Sequence, residues 1–249
     1  MKHINRAQYN YSYELMAHRG DQDGCMENTL QSIKGALQDK DADIIEMDVR
    51  MTRDGEFFIF HDPLLQRLTH RRGLFVTKTA AKLKNIRLRN GEAIPTLDQV
   101  FKLVAKTKAK IHFDLKDYMV GFFDAKKFLG LIKKYKLEKR VIISSFNFRL
   151  IRKFNQLNPQ LYLCLYSLLP LQRTIVRAKK YGAKAVGSLY LTKRFIEKAH
   201  AQRLKVICWN IGSEEKLKWL LKHKVDVLGT GSPDALKELL WYYMKEGEL

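Results

Sequence analysis

The chain has 249 residues, 46% of them hydrophobic, and 46 Lys or Arg against 26 Asp or Glu, a formal net charge of +20. That length suits one large α/β barrel, and no Gly/Ser/Pro-rich linker or low-complexity run divides it, so a single domain over 1–249 is expected. No run reaches the roughly 18–20 apolar residues that cross a bilayer, and no zinc spacing, helix-turn-helix or aromatic RNA motif points to a specific nucleic acid. Cys25, Cys164 and Cys208 are an odd set without metal spacing, which argues against disulfides.

In chain order, a first strand over 13–18 ends at His18, Arg19 and Gly20. Glu27-Asn28-Thr29 opens a helix over 27–39, where small polar and acidic residues cap free amides and oppose the dipole. The strand over 43–49 alternates, so Glu46 and Asp48 share one face while Ile45, Met47 and Val49 take the other. Two acids on one face of an apolar run fit either a hard divalent cation such as Mg or Ca, or a solvated edge. Asp54-Gly55 is a hairpin turn signal, which makes 56–61 an antiparallel return ending at His61-Asp62.

A helix over 96–107 leads to the strand 110–116, in which His112, Asp114 and Lys116 share a face. Asp114 offers a third oxygen ligand and Lys116 a fixed positive charge for a substrate anion; alternatively the two neutralise each other. Further strands fall at 140–146, 160–167, 183–189, 204–211 and 225–230. Helices fill 124–136, 147–156, 171–181, 192–202, 213–223 and 233–246. Without the return, eight parallel strands remain, which predicts a (β/α)8 barrel. Reactive residues of such barrels sit where strands end, and His18, Arg19, Glu46, Asp48, Asp114, Lys116 and Trp209 all fall there. His18 and His61 have charged company suited to proton transfer near neutral pH. His3, His70, His112, His200 and His223 stay outside the chemistry.

These residues resemble the glycerophosphodiester phosphodiesterase family. The resemblance rests on His18-Arg19-Gly20, Glu27-Asn28-Thr29, the 43–48 stretch, Thr52-x-Asp54-Gly55, His61-Asp62, Ile94-Pro95-Thr96-Leu97, Asp114-Leu115-Lys116, Ser145-Phe146 and Trp209-Asn210, in that order. It implies a (β/α)8 barrel that hydrolyses glycerophosphodiesters to an alcohol and glycerol 3-phosphate. It further implies that Glu46, Asp48 and Asp114 hold one divalent cation, Mg or Ca or else Mn. Arg19 and Lys116 would bind the phosphate, and His18 and His61 would form the acid and base pair. In the mechanism proposed for the family, the glycerol hydroxyl next to the phosphoester attacks phosphorus and water later opens the cyclic phosphate. Glu27 and Asn28 would line the pocket, with Asn28 contacting metal or substrate. Trp209 and Phe146 would each either wall the glycerol or fill the barrel, and the stretch between His61 and Pro95 would cover the substrate.

The chain departs from the family pattern at four places. Asp114 replaces a Glu, Gly231 an Asp, Asn210 a Thr and Asp41 a Gly.

Charge is unevenly spread. Residues 1–60 hold 7 Lys or Arg against 11 Asp or Glu, and residues 61–249 hold 39 against 15, which is −4 against +24. Such a field draws in phosphodiesters and suits peripheral contact with an anionic membrane, or is simply a solvated lysine-rich exterior. The aromatic stretch Leu239 to Met244 either docks on a membrane or packs as the last barrel helix. With no apolar signal core at the start, a cytoplasmic location is expected. Two other functions compete: a phospholipase D-type hydrolase of lysophospholipids or sphingolipids at membranes, and a non-catalytic barrel that binds phosphate or membrane.

Overall fold

Runs of branched and aromatic residues form the strands, and the amphipathic stretches between them form helices. The computed structural model describes residues 12–38, 42–116 and 122–246; Asp41 and His3 lie outside them. The order is β1 (Glu14–Ala17), α1 (Leu30–Gln38), β2 (Ile44–Met51), β3 (Phe57–Ile59), α2 (Ala80–Lys84), α3 (Leu97–Val104), β4 (Lys110–Leu115), α4 (Ala125–Lys134) and β5 (Val141–Ser145). There follow α5 (Phe148–Leu157), β6 (Tyr162–Ser167), α6 (Gln172–Lys180), β7 (Ala185–Ser188), α7 (Lys193–Ala201), β8 (Lys205–Cys208), α8 (Glu214–Lys222), β9 (Val227–Thr230) and α9 (Pro233–Glu246).

Eight strands close into a parallel barrel in the order β1-β2-β4-β5-β6-β7-β8-β9, with β9 paired back onto β1. Strand β3 lies outside this ring, antiparallel to the end of β2, with Val49 opposite Ile59. β1 meets β2 at two register pairs, Met16 with Ile44 and Ala17 with Ile45. Beyond them the same edge of β2 receives Gly20 N–H on the Glu46 carbonyl at 3.2 Å and Phe60 N–H on the Asp48 carbonyl at 3.0 Å. The turn after β1 and the end of β3 are thereby both tied to the stretch of β2 that carries the acids.

Alternation sorts each strand. Ile45, Met47, Val49 and Phe113 pack outward against the helices in the main core, whereas Met16, Ile44, Ile142, Cys164 and Ile207 fill the lower barrel interior. At the base, Lys110 and Lys205 both pair with Glu14. Helices α3, α4, α5, α7 and α8 start under side-chain caps from Thr96, Asp124, Asn147, Thr192 and Ser213, which satisfy free N–H groups at the end where the site opens.

The stretch between His61 and Pro95 is not a bare loop. It folds a 3₁₀ turn (Phe75–Thr77) and α2 around Phe58, Phe60, Leu65, Phe75, Leu83 and Leu88. In α9, Leu240 and Tyr243 are buried, so the aromatic stretch packs as the last helix. Among the described residues no helix is long and apolar enough to cross a membrane.

Candidate active site

The turn after β1 sets the first part of the site. Arg19 and Gly20 both adopt positive φ, 61° and 82°, a conformation that is costly for a non-glycine residue and is retained where neighbours enforce it. A Cβ at Gly20 would lie 2.6 Å from Ser32 Oγ and 2.7 Å from its backbone carbonyl carbon, so this position requires glycine. The turn delivers Arg19 N–H to Glu46 Oε2 at 2.9 Å and leaves His18 Nε2 3.8 Å from the same oxygen.

Asp48 is the hub. Its Oδ2 accepts from Asn28 Nδ2 at 2.7 Å and lies 3.2 Å from Arg19 Nε; its Oδ1 lies 2.8 Å from Lys116 Nζ. The other end of the Asn28 amide accepts Asp48 N–H at 3.1 Å. Register then brings Asp114 of β4 opposite Asp48, and Ser144 of β5 opposite Asp114. Ser144 Oγ donates to Asp114 Oδ1 at 3.0 Å, and Lys116 Nζ pairs with Oδ2. Glu46, Asp48 and Asp114 are all buried, and each offers an oxygen within 4.8 Å of the others.

Their electrostatics differ. Burial pushes the Asp48 acid upward, but Lys116 and Arg19 outweigh it and hold it well below the usual carboxylate range. Burial, reinforced by Asp48, raises Glu46 well above its ordinary value. Glu46 is thus the acid whose charge the two nearby cations offset least. Three buried acids with oxygens converging within 4.8 Å are an all-oxygen donor set of the kind that fits a hard divalent ion.

Burial and then Arg19 lower His18 to about 3, so its imidazole is neutral near pH 7. His61 is also lowered, chiefly by burial, with Lys116 and Arg19 adding to it and Asp48 opposing it. Its Nδ1 lies 2.7 Å from Asp62 Oδ1, a bond that places the ring proton on Nδ1 and leaves Nε2 as the free base.

His18, Arg19, Glu46, His61, Asp114, Lys116 and Trp209 line one cavity of about 350 Å³ at the C-terminal mouth of the barrel. Asn28, 2% exposed, does not line it; its amide is spent on Asp48. No residue between Asp62 and Pro95 lines it either, so the covering role expected of that stretch has no counterpart in the cavity wall. Phe146 and Trp209 both line the cavity and pack edge-on or tilted against each other and against Tyr166 in the barrel interior.

Residues 18–235 match the model of the glycerophosphoryl diester phosphodiesterase family. The chain belongs to this family. Among its relatives are glycerophosphodiester phosphodiesterases of Caldanaerobacter subterraneus subsp. tengcongensis, 29% identical over 91% of this chain and 97% of that one, and of Bacillus altitudinis, 28% identical over 89% and 95%. The fold is shared with a glycerophosphodiester phosphodiesterase from Parabacteroides distasonis, with a TM-score of 0.81 at 23% identity over 94% and 98% of the two chains. It is also shared with an Oleispira antarctica phosphodiesterase solved with its product sn-glycerol-3-phosphate, with a TM-score of 0.77 at 21% identity over 91% and 96%.

Two of the chain's departures from the family pattern, Asp114 and Gly231, have local compensation. Both oxygens of the shorter Asp114 are met, by Ser144 and Lys116. At Gly231 a Cβ would lie 2.7 Å from Gln22 Nε2, and that amide donates to the His18 carbonyl at 2.7 Å. Gln22 thus occupies the space of the missing rim acid. Sequence reading missed Tyr166, Leu168 and Leu189 as cavity residues, and Arg67 altogether. Tyr166 was findable as the inward residue two beyond Cys164. Nothing local marks Arg67, whose guanidinium reaches Asp62 at 2.6 Å and Glu27 at 2.6 Å across 40 residues of chain.

Proposed function

We propose that the protein hydrolyses glycerophosphodiesters to an alcohol and glycerol 3-phosphate, within one barrel domain, through His18 and His61 as the proton-transfer pair. One observation carries the reading: both histidines, Arg19, Lys116 and two of the three buried acids open onto a single cavity whose third acid lies directly behind. Arg19 and Lys116 hold the non-bridging phosphate oxygens. Glu46, Asp48 and Asp114 hold one divalent cation, Mg, Ca or Mn, which when bound supplies Lewis-acid stabilisation of the charge developing at phosphorus.

The glycerol hydroxyl next to the phosphoester is the nucleophile. One neutral histidine accepts its proton; the other, protonated from solvent as the anionic substrate binds beside it, delivers that proton to the departing alcohol oxygen; water then opens the cyclic phosphate with the roles reversed, which restores both rings. Neutral imidazoles at rest suit the accepting step. Asp62 fixes the His61 tautomer and stabilises its imidazolium, as a carboxylate does behind a catalytic histidine elsewhere. Phe146, Tyr166 and Trp209 wall the carbon part of the substrate.

The test is release of glycerol 3-phosphate from a panel of glycerophosphodiesters with Mg, Ca or Mn and with EDTA. Wild-type turnover should require the ion, and His18→Ala and Glu46→Ala should each lower kcat by at least roughly a hundredfold. Full turnover by His18→Ala would remove the proton-transfer assignment, and full turnover in EDTA would remove the metal.

A further inference from the structure

Between Glu138 and Glu197 the chain carries 12 Lys or Arg and no Asp or Glu. These 58 residues build β5, α5, β6, α6, β7 and the start of α7, so consecutive strands and their helices make one acid-free, cationic sector of the barrel. Arg149, Arg173, Lys193 and Arg194 stand in the first turns of α5, α6 and α7, on the face where the site opens, and all four are exposed. Between them the loops after β6 and β7 expose large apolar side chains: Leu168 is 63%, Leu169 52% and Tyr190 63% accessible. These loops are tied together, Ser188 Oγ donating to the Leu168 carbonyl at 3.2 Å.

The patch is continuous with the site. A second cavity of about 420 Å³ shares Phe146, Tyr166 and Leu168 with the active-site cavity and runs outward past Leu169 to Arg173 and Arg177. Adjacent exposed leucines are not needed for packing. With Arg173 and Arg177 along the same cavity and no acid in this stretch of chain, they have the composition of an interfacial anchor: apolar groups for the acyl boundary, Tyr for the headgroup level and cations for anionic lipid.

We propose that this sector docks the enzyme on an anionic lipid bilayer, with Leu168, Leu169 and Tyr190 entering the interface and the active-site mouth held at its surface. A soluble polyanion would use the arginines and gain nothing from the leucines, so the bilayer is the occupant that accounts for both. Of the C-terminal aromatic stretch, Leu240 and Tyr243 are buried in the core and Tyr242 is exposed.

The experiment is co-sedimentation of the intact protein with vesicles of phosphatidylcholine alone and of phosphatidylcholine mixed with phosphatidylglycerol, at low and high salt, which reads binding independently of turnover. Thermal unfolding shows that each variant is folded. Wild type should bind the mixed vesicles in a salt-sensitive manner and leave the neutral ones unbound. Arg149→Glu with Arg194→Glu, and separately Leu169→Ser with Tyr190→Ser, should each lower the partition coefficient by roughly tenfold or more. Lys34→Glu with Lys222→Glu, an equal change of charge on α1 and α8, should lower it by less than about threefold. Absence of wild-type binding, equal loss in the α1/α8 pair, or unchanged vesicle binding by the Leu169/Tyr190 pair would overturn the proposal. So would equally tight binding to heparin that depends on the arginines alone, which would make the sector a polyanion surface.

Discussion

Asp48 shows how one side chain can organise a site without touching the cavity. It is fully buried, and its oxygens engage Asn28, Arg19 and Lys116 from three separate strand ends or turns. Alternation along β2 identifies Asp48 and Glu46 as partners in sequence, but the division of labour between them is set by neighbours that arrive from other segments. Asn28 is the clearest case. Its positive φ of 58° places the amide so that one end donates to the Asp48 carboxylate and the other accepts the Asp48 N–H. Asn28→Ala therefore removes two bonds at once and leaves a buried N–H unpaired. It should cost about 1–3 kcal/mol in urea unfolding and lower kcat/KM by roughly ten- to a hundredfold. Loss of stability with unchanged kinetics would make Asn28 a scaffold residue alone.

Among the elements, the barrel strands and most helices were readable because each carries its own periodicity: two-residue alternation in β2 and β4, and apolar stripes in helices such as α5. The stretch from Asp62 to Pro95 was not. Its order comes from a small core assembled from β3, the 3₁₀ turn and α2, with Phe60 stacked on Phe75 at 5.2 Å, and no local repeat announces such a cluster. The contribution of this stretch to the site is likewise long-range. Arg67 forms paired contacts to Asp62, at 2.6 and 2.9 Å, and to Glu27, at 2.6 and 3.1 Å; Asp62 holds His61, and Glu27 holds Arg19 at 3.0 Å. One guanidinium thus links the supports of both proposed catalytic flanks. Arg67→Ala should lower kcat/KM by roughly ten- to a hundredfold. Arg67→Lys should not restore it, because an ammonium cannot reproduce the planar fork. Adding Glu27→Gln to Arg67→Ala should have much less effect than Glu27→Gln alone, as coupled residues behave.

Across the whole molecule the barrel has a chemically different end at each mouth: acids, histidines and cations around a cavity at the top, and a small ion cluster at the base. Glu14 of β1 receives Lys110 from β4 and Lys205 from β8, strands that lie two places away from β1 on either side of the closed ring. Burial raises the Glu14 acid, but the two lysines together outweigh it, and the net shift is downward. A carboxyl group lower in the folded than in the unfolded state binds fewer protons when folded. Its stabilising contribution is therefore complete above the unfolded value of about 4.3 and disappears as pH falls through the folded one. Both lysines are about half exposed, which limits the contribution to roughly 0.5–1 kcal/mol. Glu14→Gln should accordingly destabilise the protein by that amount at pH 7, and the gap between variant and wild type should close on acidification below the folded value. Because Glu14 sits at the mouth opposite the cavity, turnover of the folded variant at pH 7 should match wild type. A stability gap that persisted unchanged at low pH would mean that Glu14 acts through packing of its methylenes, and that the ring is held at its base by shape instead of charge.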